Sequence, residues 1–344
     1  MHKLPAFLDH RHGAEGFQPL SIEHRRFLQG LLGLDEVDLE VLPSSYQFPL
    51  GFFRAKPTEQ KNWQDFYKVL PAAAFELEKH SAHFEELLLQ AGLCSRQMSV
   101  YRQQDYCICR LPYLELLPFE LNPQTASKLG RHLAAVHNCL AQELNQSKRE
   151  TVRLQWQKRL YDFEESWREF RDRKLAEFWE MIGCRTDSKS EPRNFVGEFE
   201  KRLQLLHFDL AQAQVVHGDL NPGNVLLAGE NGTPLLIDFE NSHYSYLPRI
   251  MDVAMLVHRV FLPLRDEDTE NWASSVAAFF QAYGILDSPM SLAEAMIACC
   301  VRSQCVLIER YVVSGYWLQS EWQKFEHLIQ QVETDVDSLN RLMR

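Results

Sequence analysis

The sequence predicts an α+β chain, with strands gathered in the first third and helices dominating the remainder. Three observations carry that expectation. Short β-branched and aromatic runs bounded by Pro and Gly crowd residues 37–55 and 97–111. From Ala126 onward, apolar residues recur every three or four positions over long stretches. One hairpin interrupts the helical part: apolar runs at 225–227 and 235–237 are joined by 228–233, which contains Asn231-Gly232.

At 344 residues the chain is long enough for a sizeable core, either as two domains or as one two-lobed unit. A net charge of −11 argues against nucleic acid as a partner, because neutralising phosphates needs clustered Lys and Arg. An acidic surface of this kind would steer cationic small molecules. No apolar run approaches the roughly 20 residues of a membrane helix, so no membrane partner is expected. Residues 1–20 mix His, Arg, Asp and Glu and lack the apolar centre of a secretory signal. The eight cysteines are scattered. Cys107 and Cys109 share one face of a strand and Cys299-Cys300 lie in a helix, without the spacing or His partners of a zinc site. They read as small apolar residues of a cytoplasmic protein, a monomer or homodimer.

Taken in order, Ser21 caps a short helix carrying Phe27, Leu28, Leu31 and Leu32, closed by Gly33. Strands are expected over 37–42, 45–50 and 52–55, and Arg54 and Lys56 share a face at the last of them. A helix over 72–90 has Phe75, Leu77, Phe84 and 87–89 on its apolar side. Residues 97–102 and 106–111 form a hairpin turning at 103–105. Asn122-Pro123 starts a helix marked by Ala126, Leu129, Leu133, Val136 and Leu140, in which His137 is a packed, hydrogen-bonded core histidine. The charged stretch 147–182 is helical. Its stripe of Trp156, Leu160, Phe163, Trp167, Phe170 and Phe178 is expected to pack a helix pair onto the neighbouring core. A loop over 184–194 leads to a helix over 195–210. Beyond the hairpin, Pro248 opens a helix with Asp252 in its first turn, and helices over 273–283, 291–315 and 321–343 close the chain.

The chemistry concentrates around the hairpin. Asn224, just before its first strand, and Asp238, just after its second, come to one open end. Asp219 stands five residues earlier on a loop containing Gly218, Pro222 and Gly223, and can reach the same place. An amide oxygen and a carboxylate suit a hard divalent cation that keeps waters and shares substrate phosphates. A further carboxylate can orient a hydroxyl and accept its proton, which completes the parts needed for phosphoryl transfer.

His217-x-Asp219-x-x-x-x-Asn224 followed by Asp238-Phe239 resembles the catalytic-loop and metal-loop pair of protein kinases. Four details are instead similar to the aminoglycoside phosphotransferase and choline kinase family. They are His217-Gly218-Asp219, Pro222, Ile237-Asp238-Phe239-Glu240, and Leu129-Gly130-x-x-Leu133-Ala134-x-x-His137. The resemblance implies a bilobal protein-kinase-like fold. Residues 1–111 would form a nucleotide-covering lobe with a five-stranded antiparallel sheet and one helix, and 112–344 a mainly helical catalytic and acceptor-binding lobe. It implies ATP, or GTP, with magnesium, and a small hydroxylated metabolite or antibiotic as acceptor. Asp219 would take the hydroxyl proton, while Asn224 and Asp238 would hold the metal. Arg54 or Lys56 would steady the phosphates, paired by Glu78 or Glu76 on the following helix. The backbone near Arg110 and Tyr113 would receive the base. His217 would brace the loop, Asp252 would hold it by hydrogen bonds, and Glu309, Tyr311, Trp317 and Trp322 are candidates for the acceptor pocket. Ser44-Ser45-Tyr46 stands where a Gly-rich loop is expected, so a nucleotide-binding sensor or scaffold is the alternative. The short stretch from Phe239 to Asp252 leaves little room to organise a peptide, which ranks a protein kinase last.

Overall fold

The computed structural model describes residues 16–44, 46–94, 96–181, 191–229, 232–265, 269–284 and 287–341. The chain divides into two compact units, one of Met1–Phe119 with Pro222–His243, the other of Glu120–Asn221 with Tyr244–Arg344.

The first unit begins with β1 (Gln18–Pro19) and α1 (Ile22–Leu32). Ser21 caps that helix by accepting the His24 N–H, and Gly33 ends it in the left-handed conformation. There follow β2 (Val37–Leu42), β3 (Gly51–Pro57), β4 (Asp65–Pro71), α2 (Phe75–Gln90), β5 (Ser99–Gln103), β6 (Tyr106–Pro112) and β7 (Leu116–Pro118). Six strands form an antiparallel sheet in the order β1-β2-β3-β4-β6-β5. Alternation sends Phe53, Ala55, Tyr67, Val69 and Ile108 to one face, where Leu28, Leu31 and Leu32 of α1 cover them. Burying each of the Phe, Val, Ile and Leu side chains among them contributes roughly 1.5–3 kcal/mol. Phe52, Lys68 and Cys109 stand opposite one another in the register and share the other face.

Two differences from the expected sheet matter for function. Residues 46–50 form a turn, not a strand: Pro49 has no N–H for a ladder, and the Leu50 N–H folds back onto the Gln47 carbonyl at 3.0 Å. Residue 45 lies outside the described residues. A central strand, β4, occupies a stretch where none was expected, although its Phe-Tyr-Lys-Val-Leu run has the right β character. These two changes cancel in number, and β1, pairing with β2 at the sheet edge, brings the sheet to six strands instead of five, with two helices accompanying it.

The second unit opens with α3 (Pro123–Glu143), whose Asn122 and Thr125 form a reciprocal capping box. Gly130 on α3 packs against the Phe279 carbonyl so closely that a Cβ there would clash with it. Next is α4 (Gln146–Glu169), which continues through a π-helical turn at Phe170–Lys174 into α5 (Leu175–Met181). Trp156, Phe163, Trp167, Phe170 and Phe178 are all buried, so the aromatic stripe is core. Of the loop expected at 184–194, residues 184–190 lie outside the described residues and 191–194 already belong to α6 (Glu191–Leu203). Strand β8 (Gln214–Val215) follows. The chain then enters the first unit for the hairpin of β9 (Val225–Ala228) and β10 (Thr233–Leu236), with β7 pairing β9. Asn231 of the expected turn lies outside the described residues. The second unit resumes with β11 (Tyr246–Leu247), which pairs β8, and α7 (Arg249–Leu256), which passes into a π-helical turn at Val257–Phe261. It ends with α8 (Thr269–Tyr283), α9 (Leu292–Ser314) and α10 (Gln319–Arg341). Among the described residues no helix is long and apolar enough to cross a membrane.

Candidate active site

In the first unit the hairpin register pairs Val225 with Leu236, and the Ile237 N–H donates to the Asn224 carbonyl at 3.1 Å. Asn224 and Asp238 thereby come to one end of the hairpin. Asp238 takes φ 69°, a left-handed conformation that a non-glycine residue holds only where its surroundings fix it. Its Oδ1 accepts from Lys68 Nζ at 2.6 Å, and the same ammonium lies 3.8 Å from Oε2 of Glu78 in the first turn of α2. Burial alone would lower the Lys68 ammonium, but Asp238, Glu78 and Glu240 outweigh it and hold the charge on well above the usual range. Burial, with Asp238 adding to it, raises the Glu78 carboxyl in spite of Lys68. Tyr46 feels the same charges: burial first and Glu240 next push its phenol upward. Three carboxylates thus surround one lysine. Asp238 and Asn224, at the same end of the hairpin, offer hard oxygens of the kind that fit magnesium held by one or two protein oxygens.

The basic residues expected at the phosphates go elsewhere. Arg54 stands directly opposite Glu40 in the β2–β3 register and donates to it through Nε at 2.9 Å. It also donates to the Tyr113 hydroxyl at 3.0 Å and lies over the rings of Phe17 and Trp63. Lys56 is opposite Asp38, 3.5 Å away, and donates to the Gln60 carbonyl. Cross-strand opposition makes these pairs local, so neither base meets Glu78. Lys68, one strand further along, does. Glu76 is largely exposed and sits 3.8 Å from Arg102. Arg110 is turned outward in a two-pronged pair with Asp65, which raises its guanidinium further. The Tyr113 N–H donates to the Gln64 carbonyl at 2.7 Å.

The second unit builds the loop that carries Asp219. Asp252, fully buried in α7, accepts the backbone N–H of His217 at 2.8 Å and of Gly218 at 2.8 Å, and the His137 ring at 3.0 Å. Burial would raise this carboxyl, but the His137 hydrogen bond, His217 and the Gly218 amide hold it below the ordinary range. A carboxylate only accepts, so His137 donates through Nε2, and its Nδ1 lies 2.7 Å from the Tyr283 hydroxyl. His217 is fully buried, and its Nδ1 accepts the Asp219 N–H at 3.2 Å. Asp219 itself accepts from Arg259 at 3.0 Å, and Arg302 donates to the Gly218 carbonyl.

Glu309, Tyr311, Trp317 and Trp322 do not form an open pocket. Tyr311 and Trp322 are buried with Phe178, and Trp317 packs edge-on to Phe178 at 4.6 Å. Glu309 pairs with Arg159 at 2.8 Å. The sequence reading missed Lys68, Arg259 and Arg302. Only Lys68 had a legible signal, a lysine within a β-rich run directly before the helix that carries Glu78.

The model of the phosphotransferase enzyme family matches residues 101–294. No curated protein matches the chain by sequence. Among solved structures, a spectinomycin phosphotransferase in complex with ADP and spectinomycin is 15% identical, with a TM-score of 0.53 over 91% of this chain and 95% of that one. A choline kinase from Streptococcus pneumoniae is 17% identical, with a TM-score of 0.55 over 91% and 100%. An ethanolamine kinase from Plasmodium vivax is 14% identical, with a TM-score of 0.55 over 90% and 86%. At such identities the structural likeness speaks to the fold, which is protein-kinase-like. With more than half its length matched by the family model, the chain belongs to the phosphotransferase enzyme family.

Proposed function

We propose that the chain is an ATP-dependent O-phosphotransferase acting on a small hydroxylated molecule with magnesium. The observation that carries this reading is Lys68, drawn between Glu78 and Asp238 at the hairpin end that also holds Asn224. A lysine steadied by a helix glutamate is suited to nucleotide phosphates. Asn224 and Asp238 would hold magnesium, which neutralises charge on the transferring phosphoryl group. The acceptor oxygen forms the new P–O bond as the bond to the leaving nucleotide diphosphate breaks, and the hydroxyl proton passes to Asp219. Asp252 and His217 fix the loop on which Asp219 stands. Lys68 takes the role expected of Arg54 or Lys56, and Glu78 keeps the role expected of it.

One observation favours the sensor alternative: the stretch expected to carry flexible glycines has Ser44 and Tyr46, and the Tyr46 N–H is tied to the Ser44 hydroxyl at 3.3 Å. Calorimetric titration with magnesium and ATP, followed by ADP release against a metabolite panel, separates the two. Asp219→Ala should abolish ADP release while keeping nucleotide affinity, and Asp238→Ala should lose magnesium-dependent binding. Full turnover in Asp219→Ala would overturn the assignment, and binding without turnover on any acceptor would favour the sensor.

A further inference from the structure

Two arginines converge on consecutive residues of the loop that carries Asp219. Arg302, on α9, donates to the Gly218 carbonyl, and Arg259 donates to the Asp219 carboxylate at 3.0 Å. Arg259 is also pinned to Ser303, the residue after Arg302, at 3.2 Å, and Ser303 donates in turn to the Cys299 carbonyl. Arg259 lies on the π-helical turn at Val257–Phe261, an irregularity that re-aims side chains and is frequent at functional sites.

Around this loop two guanidiniums meet two carboxylates, Asp219 and Asp252, so acid does not outnumber base there as it does over the whole chain, whose net charge is −11. Asp219 balances one guanidinium. The other nearby acid, Asp252, already receives two backbone N–H groups and His137. Burial works first against a charged Arg302 and Arg259 adds to it, while Cys299, Asp219 and Asp252 act in the opposite direction. A cationic acceptor would have to approach these two like charges. The acids on the adjoining helices do not offset them, since Glu309 pairs with Arg159 and Glu326 with Gln304 and Arg202. An anionic group, by contrast, is what paired guanidiniums bind best, with their five N–H groups each in a planar fork.

We infer that the acceptor is an anionic hydroxyl compound, whose carboxylate or phosphate is bound by Arg259 and Arg302 while its hydroxyl lies at Asp219. This rests on the phosphotransferase reading above and names the substrate class for it. The transfer step is unchanged: the acceptor oxygen gains phosphorus, the nucleotide diphosphate leaves and Asp219 takes the proton.

The test is ADP release by the full chain with magnesium and ATP. Its panel holds hydroxy-carboxylates (glycerate, malate), hydroxy-phosphates (glycerol phosphate, ribose phosphate), neutral glycerol and ribose, and cationic choline, ethanolamine and kanamycin. One anionic group should exceed its neutral counterpart by about 100-fold in kcat/KM, and which group does so identifies carboxylate or phosphate. Arg259→Gln should raise KM for that acceptor about 30-fold and leave KM for ATP within about twofold, whereas a merely structural arginine would lower kcat alike for every acceptor. Malonate or methylphosphonate, lacking a hydroxyl, should compete with the acceptor and not with ATP. Preferential turnover of choline, ethanolamine or kanamycin, or a uniform kcat loss in Arg259→Gln, overturns the inference and leaves the phosphotransferase reading standing. Nucleotide binding with no turnover on any compound overturns both.

Discussion

Lys68 carries its ammonium from the middle of a sheet into the reach of three carboxylates, and its effect is separable from that of the other bases on the same face. Lys68→Met should lower kcat/KM for ATP by about 100-fold, a loss near 2.7 kcal/mol, in steady-state assays. Arg54→Met should stay within about twofold, because Arg54 is taken by Glu40 and Tyr113. Reversed magnitudes would restore the expectation drawn from the sequence. Asp252 makes a second prediction at this scale. Asp252→Ala leaves the His217 and Gly218 amides and the His137 ring without their acceptor, so a destabilisation of roughly 3 kcal/mol is expected in urea unfolding. The sign with pH follows from its depressed carboxyl. The contribution is complete above about pH 4 and is lost as the pH falls through the folded value. The role of Asp252 was legible because a first-turn acid after Pro248 follows the loop at a recognisable distance. The pairing of Lys68 with Glu78 and Asp238 was not, because two basic residues on β3 competed with one on a strand that had gone unseen.

At the scale of elements, caps and turns decide most boundaries. Ser21, Asn122 and Ser291 each accept backbone N–H groups at the start of a helix, and Gly33 and Gly315 end helices in the left-handed conformation. Those signals are local, so α1 and α9 start and stop, and α3 starts, where the residues say. Gly130 is different, since its reason lies on another element. An added Cβ would clash with the Phe279 carbonyl of α8, and backbone cannot turn aside as a side chain can. Gly130→Ala should therefore lower stability by about 1–3 kcal/mol, read as a lower urea midpoint, despite the better helix propensity of Ala. An unchanged midpoint would mean that α3 and α8 separate freely. The aromatic stripe of α4 and α5 was legible as a packed face. The acceptor-pocket candidates on the last helices were not placed correctly, because burial among Phe178, Tyr311 and Trp322 depends on which helices meet.

For the molecule as a whole, the half-buried His132 and the buried His258 are expected to weaken the fold in acid. Burial lowers His132 to about 4, and burial with Arg259 nearby lowers His258 to about 4. Their folded values lie below the unfolded value of about 6.5, so the unfolded chain binds more protons between those limits. Stability should be full above about pH 6.5 and fall as the pH drops towards 4, by up to roughly 3 kcal/mol per histidine. Denaturant titrations from neutral pH downward measure this. His258→Gln should flatten part of the slope, and an unchanged slope in that variant would show His258 to be already charged or solvated.

By itself the sequence determined the α+β class, the hairpin, the caps and the family. Each of these is written in local periodicity, turn chemistry or motif spacing along a single stretch of chain. Only the tertiary structure decided that Lys68 meets Glu78 and Asp238, that Arg54 is spent on Glu40, and that Arg259 and Arg302 gather at the Asp219 loop. The reason is physical: a charged side chain takes the partner that strand register and helix approach bring within a few ångströms, and those neighbours come from distant parts of the chain.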